Sequence, residues 1–486
     1  MLFLQALSFA QDNTKILSEL DHISADIEQI KQELGASSSP SPPPTGYPPT
    51  TPTPSPEAPS TSPGVPTSEP TPITEALNAT TPNATTPNAY AAKGSVNAGN
   101  LTVNSVLPLP ITIDGKPVEA KMTLDANWRY VHDESGKSCY EGEWDATLCP
   151  DAETCSKNCV IEGIAEADYS ETYGITTNGS QTRLNYVTGN SVGSRNYLMN
   201  AEGDKYLGFN VVNREFSFTV DVTTLGCGLN GALYFSEMPL DGLLPAGAAY
   251  GTGYGDAQCP TDVKFVGGLA NTDKTGSCSN EYDIWEANSV TNAFTAHPCS
   301  ITEPSVPCTG DSCNVCDKAG ADYNSYRLGN TTLYGKGNQV DTTKPFEVVT
   351  QFITSDGTDN GDLVRIQRYY VQGGKNIDGG FTTDESAAAN FKKFPDKTPN
   401  TAYAANGGMK SVGDTFKRGN MVLVLSIWDD AATGMEWLDS TVGTGDGSKR
   451  GPCPVGSGDS TALRASSPSS YVTYADIKLN PISEYK

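Results

Sequence analysis

SCSNEYDIWEANS, residues 277–289, places Glu281, Asp283 and Glu286 within six residues and sets Ile284 and Trp285 among them. A solvated acidic loop has no use for two such apolar side chains, so the stretch reads as a strand. Successive side chains of a strand point to opposite faces. That puts Glu281, Asp283 and Trp285 on one face and leaves Glu286 on the other. Either Glu286 points away, or a β-bulge near 284–285 resets the alternation. A bulge inserts one extra residue and re-aims side chains, often beside active sites. With the bulge, all three acids line one concave surface.

The sequence on either side supports strands. EFSFTVDV (215–222) alternates, with Phe216, Phe218, Val220 and Val222 on one face. MVLVLSIW (421–428) is apolar on both faces, as a strand covered on both sides would be. FEVVTQF (346–352), VRIQRYYV (364–371) and YVTYADIKL (471–479) are further strands, separated by Gly, Asn and Asp clusters. No long helical period is visible. The pattern predicts an all-β, jelly-roll-like antiparallel sandwich of two sheets with a concave groove.

On such a groove the three acids have a definite use. A retaining glycosidase needs two carboxyl groups about 5–5.5 Å apart, one to attack the anomeric carbon and one to protonate the leaving oxygen and then activate water. Close carboxylates cannot all ionise, so one proton is shared or one pKa rises. Asp283, beside Glu281, is placed to hold that proton and orient the nucleophile. The acids alone leave two other readings open, a calcium site and an ordinary charged strand. Calcium favours a loop of carbonyls and glycine over a strand carrying tryptophan.

Bulk properties narrow the partner. The formal net charge of −25 over 486 residues repels nucleic acid and anionic lipid, and a neutral polysaccharide fits. No apolar run approaches the roughly 18 residues of a membrane-spanning helix. The 12 cysteines all lie between Cys139 and Cys453, and sequons occur at Asn78, Asn83, Asn100, Asn178 and Asn330. An even cysteine count with sequons points to an oxidising, secretory route and an extracellular protein. Cys299, Cys308, Cys313 and Cys316 have a roughly zinc-like spacing, but zinc there would leave the other eight cysteines unexplained. No metal or cofactor is expected.

Four segments follow along the chain. Residues 1–13 read as a truncated signal sequence, apolar and ending in small residues but short and without a basic start. Residues 14–35 carry Ile16, Leu20, Ile23, Ile27, Ile30 and Leu34 at alternating steps of four and three, a short heptad seam suited to self-association or to docking as an amphipathic helix. Residues 36–104 are a Pro/Ser/Thr-rich linker, and its proline-dense part could span roughly 100 Å as polyproline II. Residues 105–486 are the strand-rich domain.

NEYDIWEANS followed by AHPCS (296–300) resembles the catalytic segment of glycoside hydrolase family 7, the cellulases acting on β-1,4-glucan. LDANWRYVHD (124–133), CGLNGALYFSEM (227–238), YGTGYGDAQCP (250–260), YRLGNTTLYG (326–335) and SIWDDAATGMEWLDST (426–441) also resemble family blocks, in family order. The resemblance implies Glu281 as nucleophile, Glu286 as acid/base and Asp283 as the assisting acid. It places His297 beside the leaving-group subsite. Asn230, Tyr234, Tyr254, Asp256 and Gln258 match cleft-lining positions. Trp128, Trp428 and Trp437 match sugar-stacking tryptophans, Tyr130 stands where an entrance tryptophan would be, and Arg195 and Arg450 match sugar-binding arginines. The implied disulfides are Cys139–Cys159, Cys149–Cys155, Cys227–Cys453, Cys259–Cys278, Cys299–Cys316 and Cys308–Cys313. Gly255 and Ser279 replace two cysteines that pair in other members, as if a whole bridge were lost.

Members that thread a chain through a tunnel roof the cleft with long loops. Here the segment between Cys259 and Cys278, CNVCDKAGADYN (313–324) and TVGTGDGSKRGPC (441–453) are short. Ala431, Ala432 and Val442 replace aromatic loop residues. These losses favour an endoglucanase over a chain-end cellobiohydrolase. Arg450 and residues 391–408 leave room for partial roofing. Outside catalysis, the same scaffold would serve as a glycan-binding module or a structural wall protein, though neither needs an intact proton-transfer pair.

Overall fold

The computed structural model describes residues 97–98, 103–243, 245–394 and 401–485. Pro82–Lys486 forms one compact unit. The expected signal sequence, the 14–35 helix and nearly all of the linker lie outside the described residues.

The longer strands, in chain order, are β1 (Lys121–Leu124), β2 (Ser194–Met199), β3 (Arg214–Asp221), β4 (Leu229–Glu237), β5 (Glu281–Ala287), β6 (Asn292–His297), β7 (Ala321–Tyr323), β8 (Phe346–Thr354), β9 (Leu363–Gln372), β10 (Lys375–Thr382), β11 (Met421–Asp429) and β12 (Tyr471–Pro481). They fall into two nine-stranded sheets among the described residues. One runs β1-β2-β11-β4-β5-β6-β7, and the other runs β10-β9-β8-β3-β12, each completed by shorter strands. Nearly all pairings are antiparallel; Ile111–Ile113 joins β12 in parallel. The sandwich expected from the alternating patterns is the observed fold.

The main core fills the space between the sheets. Phe216, Phe218 and Val220 of β3 meet Leu233 and Phe235 of β4, Trp285 of β5, and Leu423, Leu425 and Ile427 of β11. Val422 and Val424, on the opposite parity of β11, join a second apolar cluster with Tyr197, Tyr234 and Tyr254 on the outer face of that sheet. Burial on both sides explains the unbroken apolar run of 421–425 and its continuation in Ile427. Burying side chains such as these stabilises a fold by roughly 1.5–3 kcal/mol each.

Two ten-residue helices, α1 (Asp384–Lys393) and α2 (Gly408–Lys417), interrupt the strand pattern. α1 starts with a capping box, Thr383 and Ser386 each accepting from the other's backbone. Met409, Val412 and Phe416 put the apolar stripe of α2 on the core. These periods are too short to stand out in so glycine-rich a sequence.

The folded unit also begins earlier than composition indicates. Asn97–Ala98 pairs in parallel with Val160–Ile161. Asn104, at the expected end of the linker, accepts from Arg129 Nη1 at 2.8 Å and donates to the Ala249 carbonyl at 3.0 Å. Backbone pairing needs no side-chain period, so a polar segment can join a sheet unannounced.

All six disulfides form in the pairing the family resemblance implies, leaving no free cysteine. A Cβ built on Gly255 would sit 2.7 Å from Ser279 Oγ, so the two positions of the missing bridge are neighbours. Sequon residues Asn178 and Asn330 are exposed.

Candidate active site

The bulge is present, and both neighbours of β5 register it. Against β6, Asp283 pairs with Thr295 and Glu286 with Ala293, so three steps on β5 match two on β6. Against β4, Trp285 pairs with Leu233 and Tyr282 with Phe235, again three steps against two. The extra residue sends Tyr282, Ile284 and Trp285 into the core and brings Glu281, Asp283 and Glu286 into one cleft of about 810 Å³. Trp285 therefore packs inside the sandwich, away from the face that simple alternation would give it.

Glu281, Asp283 and Glu286 are 8%, 6% and 9% exposed, low enough for desolvation to govern two of them. Burial, reinforced by the charges of Asp283 and Asp256, pushes the Glu281 carboxyl well above its ordinary value. Glu281 Oε2 accepts from the Ala257 backbone N–H at 3.0 Å, which orients it. Burial and the charge of Asp283 likewise hold Glu286 well above the usual carboxylate range. Asn230 Nδ2, donating to Glu286 Oε1 at 3.0 Å, opposes that rise.

His297 stands on β6 opposite Glu281. Its Nδ1 is 2.7 Å from the Asp317 carbonyl, which only accepts, so Nδ1 carries a hydrogen. Its Nε2 is 3.0 Å from Asp283 Oδ2. Burial alone would lower the pKa of this imidazole; the bond to Asp283 and its charge outweigh that and raise it above 6.5. Glu281, Asp283 and His297 present ligand-type atoms within 4.8 Å of one another. The contact between His297 Nε2 and Asp283 Oδ2 already accounts for much of that closeness.

The cleft walls hold most of the expected residues. Trp128, Arg195, Tyr234, Tyr254, Asp256, Gln258, His297, Trp428, Trp437 and Arg450 all line it. Arg195 lies 3.5 Å over the Tyr254 ring and bonds Asp125 Oδ2 at 2.8 Å. Tyr254 Oη donates to Asp256 Oδ2 at 2.7 Å, and burial still raises the Asp256 pKa. The Trp428 and Trp437 rings are 6.1 Å apart and tilted by 32°, and Asp430 Oδ2 accepts from Trp437 Nε1 at 2.9 Å. Such faces suit the apolar faces of pyranose rings.

Two expected residues sit elsewhere. Asn230 is fully buried beneath the cleft and holds Glu286 and the Ala287 backbone N–H instead of lining the surface. Tyr130 is 46% exposed outside the cleft, stacked on His132 at 5.2 Å. Its neighbour Trp128 is turned inward by the 3-10 turn Ala126–Trp128, which Asp125 caps.

Arg327 and Asp322 line the cleft too, although no role was expected for either. Arg327 Nη1 bonds both Asp322 oxygens, at 2.9 and 3.1 Å, and its Nε donates to the Gly447 carbonyl at 2.9 Å. Its guanidinium lies 4.1 Å from the Phe394 ring centre, tying the 441–453 loop to the end of α1. The only signal was YRLGN itself, one block among many. No described helix is long and apolar enough to cross a membrane.

Glycosidic hydrolysis needs an acid kept protonated near neutrality, a second carboxyl beside it, and flat apolar walls for the sugar. This fold and this cleft define a glycoside hydrolase. The chain belongs to glycosyl hydrolase family 7, whose family model matches residues 112–485. It is 43% identical over 437 residues to exoglucanase GH7B of Limnoria quadripunctata, covering 80% of this chain and 96% of that protein. A family 7 cellobiohydrolase from Daphnia pulex is 40% identical with a TM-score of 0.77, over 80% of this chain and 100% of that one. The Humicola insolens endocellulase EGI is 35% identical with a TM-score of 0.70, over 80% of this chain and 100% of that one.

Proposed function

We propose that this chain is a secreted, retaining β-1,4-glucanase that cuts internal bonds of cellulose or a related glucan. The observation that carries the reading is the bulge of β5, which gathers Glu281, Asp283 and Glu286 on one buried surface. Glu281 attacks the anomeric carbon and forms a covalent glycosyl-enzyme. Glu286, kept protonated by burial, gives its proton to the departing oxygen, then takes one from the water that releases the sugar. Asp283, fixed by His297, orients Glu281 and takes part in sharing its proton. Trp128, Trp428 and Trp437 hold glucose rings along the groove, with Arg195 and Arg450 at polar edges.

Short loops between Cys259 and Cys278 and across 441–453 support internal cutting, because an unroofed groove admits mid-chain segments. A second reading, chain-end action, is favoured by the names of the exoglucanase and cellobiohydrolase relatives. Product analysis on a long cello-oligosaccharide and the viscosity of carboxymethylcellulose separate them. Early viscosity loss with mixed products supports the endo reading; cellobiose as the dominant product from the first minutes sinks it. No release from any soluble glucan sinks the hydrolase reading itself.

Secretion is supported by the six disulfides and the exposed sequons at Asn178 and Asn330. Residues 14–35 are proposed to mediate self-association through their heptad seam. An identical monomeric mass for full-length chain and a 1–100 deletion would rule that out.

A further inference from the structure

Arg368 is a charged residue on the apolar parity of its strand. Ile366 and Tyr370, two positions to either side on β9, both belong to the core, and Arg368 is 0% exposed between them. A buried guanidinium is costly unless its donors are matched, and no carboxylate pairs with it among the described residues. Its Nε donates to Thr350 Oγ1, on the paired position of β8, at 3.1 Å. Three rings surround it, with centres 4.6 Å away for Phe294, 5.8 Å for Trp285 and 5.9 Å for Tyr370. Its Nη2 crosses the sandwich and donates to the backbone carbonyl of Ile284.

Ile284 lies at the bulge, flanked by Asp283 and Trp285, and has no register partner on β4 or β6. An unpaired carbonyl facing an apolar core costs about 1–3 kcal/mol if nothing donates to it. Arg368 supplies that donor from the opposite sheet. We propose that Arg368 is a positioning residue for the hydrolytic pair: it caps the carbonyl exposed by the bulge and so fixes the inserted residue that turns Glu286 onto the face of Glu281. Arg368 itself touches no substrate. The inference rests on the proposed hydrolytic roles of Glu281 and Glu286.

The test compares kcat/KM for 2,4-dinitrophenyl and 4-nitrophenyl β-cellobiosides in the parent, Arg368→Lys, Arg368→Met and Thr350→Val. The first leaving group departs with little help, whereas the second needs the proton from Glu286. Hydrolysis of both by the parent tests the proposed function by itself. Loss of the cap displaces Glu286, and a displacement near 1 Å costs about 100-fold. Arg368→Met is expected to lose about 100-fold on the 4-nitrophenyl substrate and about tenfold or less on the dinitrophenyl one. Arg368→Lys should recover part of the difference. Thr350→Val frees the guanidinium without removing it and should move the ratio the same way by a smaller factor. It also decides the matter if Arg368→Met fails to fold. A ratio equal to the parent's in every folded variant overturns the proposal, since a purely structural arginine would lower stability and leave the leaving-group dependence alone.

Discussion

His297 Nε2 lies 3.0 Å from Asp283 Oδ2, while its Nδ1 is committed to the Asp317 carbonyl. The imidazole therefore buttresses the central acid of β5 as well as lining the cleft. His297→Ala is expected to lower kcat by about 100-fold, the scale of a mis-set proton-transfer geometry, with a smaller change in KM. Steady-state kinetics on an aryl cellobioside check this; a rise in KM with kcat unchanged would assign His297 to substrate binding alone.

The same groups govern stability against pH. Glu281 and Glu286 have folded-state pKa values raised above 4.5, and His297 above 6.5. In each case the folded state holds the proton more tightly than the unfolded chain. Their contribution is full below the unfolded pKa and falls as pH climbs through the folded one. For the two glutamates the loss begins near pH 4.5, and for His297 near 6.5. Tm of the free enzyme should therefore fall from about pH 5 to 8. Glu281→Gln and Glu286→Gln should each flatten that decline and raise Tm at the alkaline end, while lowering activity at least about 10⁴-fold. A Tm below the parent's at pH 8 in both variants would contradict the assignment.

Asn230 tunes the acid. Its Nδ2 donates to Glu286 Oε1 at 3.0 Å, favouring the ionised form, and its Oδ1 accepts from the Ala287 N–H at 3.0 Å. Asn230→Asp keeps the second bond and replaces the first donor by a carboxylate oxygen. Ionising Glu286 then becomes harder, so it stays protonated to higher pH. The alkaline limb of kcat/KM should move upward, with kcat reduced about tenfold. A limb that stays in place would remove Asn230 from the control of Glu286.

Asp439 is fully buried, and its Oδ2 accepts from the Gly228 N–H at 2.8 Å and from Asn288 Nδ2 at 2.7 Å. Burial pushes its pKa up to about 6. It sits on the short helix Glu436–Asp439 that carries Trp437. With the folded pKa above the ordinary 3.8, its ionisation destabilises the fold as pH rises through 6. Asp439→Asn should raise Tm above pH 6 and have little effect near pH 4, as read by calorimetry at both ends of the range.

Much of this was legible in the sequence, for identifiable reasons. Three acids interleaved with Ile284 and Trp285 left two arrangements, Glu286 turned away or a bulge near 284–285, and the bulge is the one present. The two-sided apolar run 421–428 demands cover on both faces, and both covers exist. Gly255 and Ser279 stand side by side where a bridge is missing, so Gly255→Cys with Ser279→Cys should form one. What escaped depends on partners far along the chain. Arg327 is defined by Phe394 and Gly447, and Asn230 by Glu286, contacts that no local period encodes. Arg368 shares the parity of Ile366 and Tyr370, and the carbonyl it bonds, that of Ile284, lies across the sandwich. The early pairing of Asn97–Ala98 was hidden because backbone bonds leave no mark in composition.

In the proposed reaction Glu281 forms a covalent bond to the sugar while Glu286 moves the proton. The most direct measurement traps that bond with 2,4-dinitrophenyl 2-deoxy-2-fluoro-β-cellobioside and maps the labelled peptide by mass spectrometry. One fluorocellobiosyl group is expected on Glu281, within residues 277–289, with loss of activity in step with labelling. A label on any other side chain, or complete hydrolytic activity that releases the α-anomer first, would contradict it.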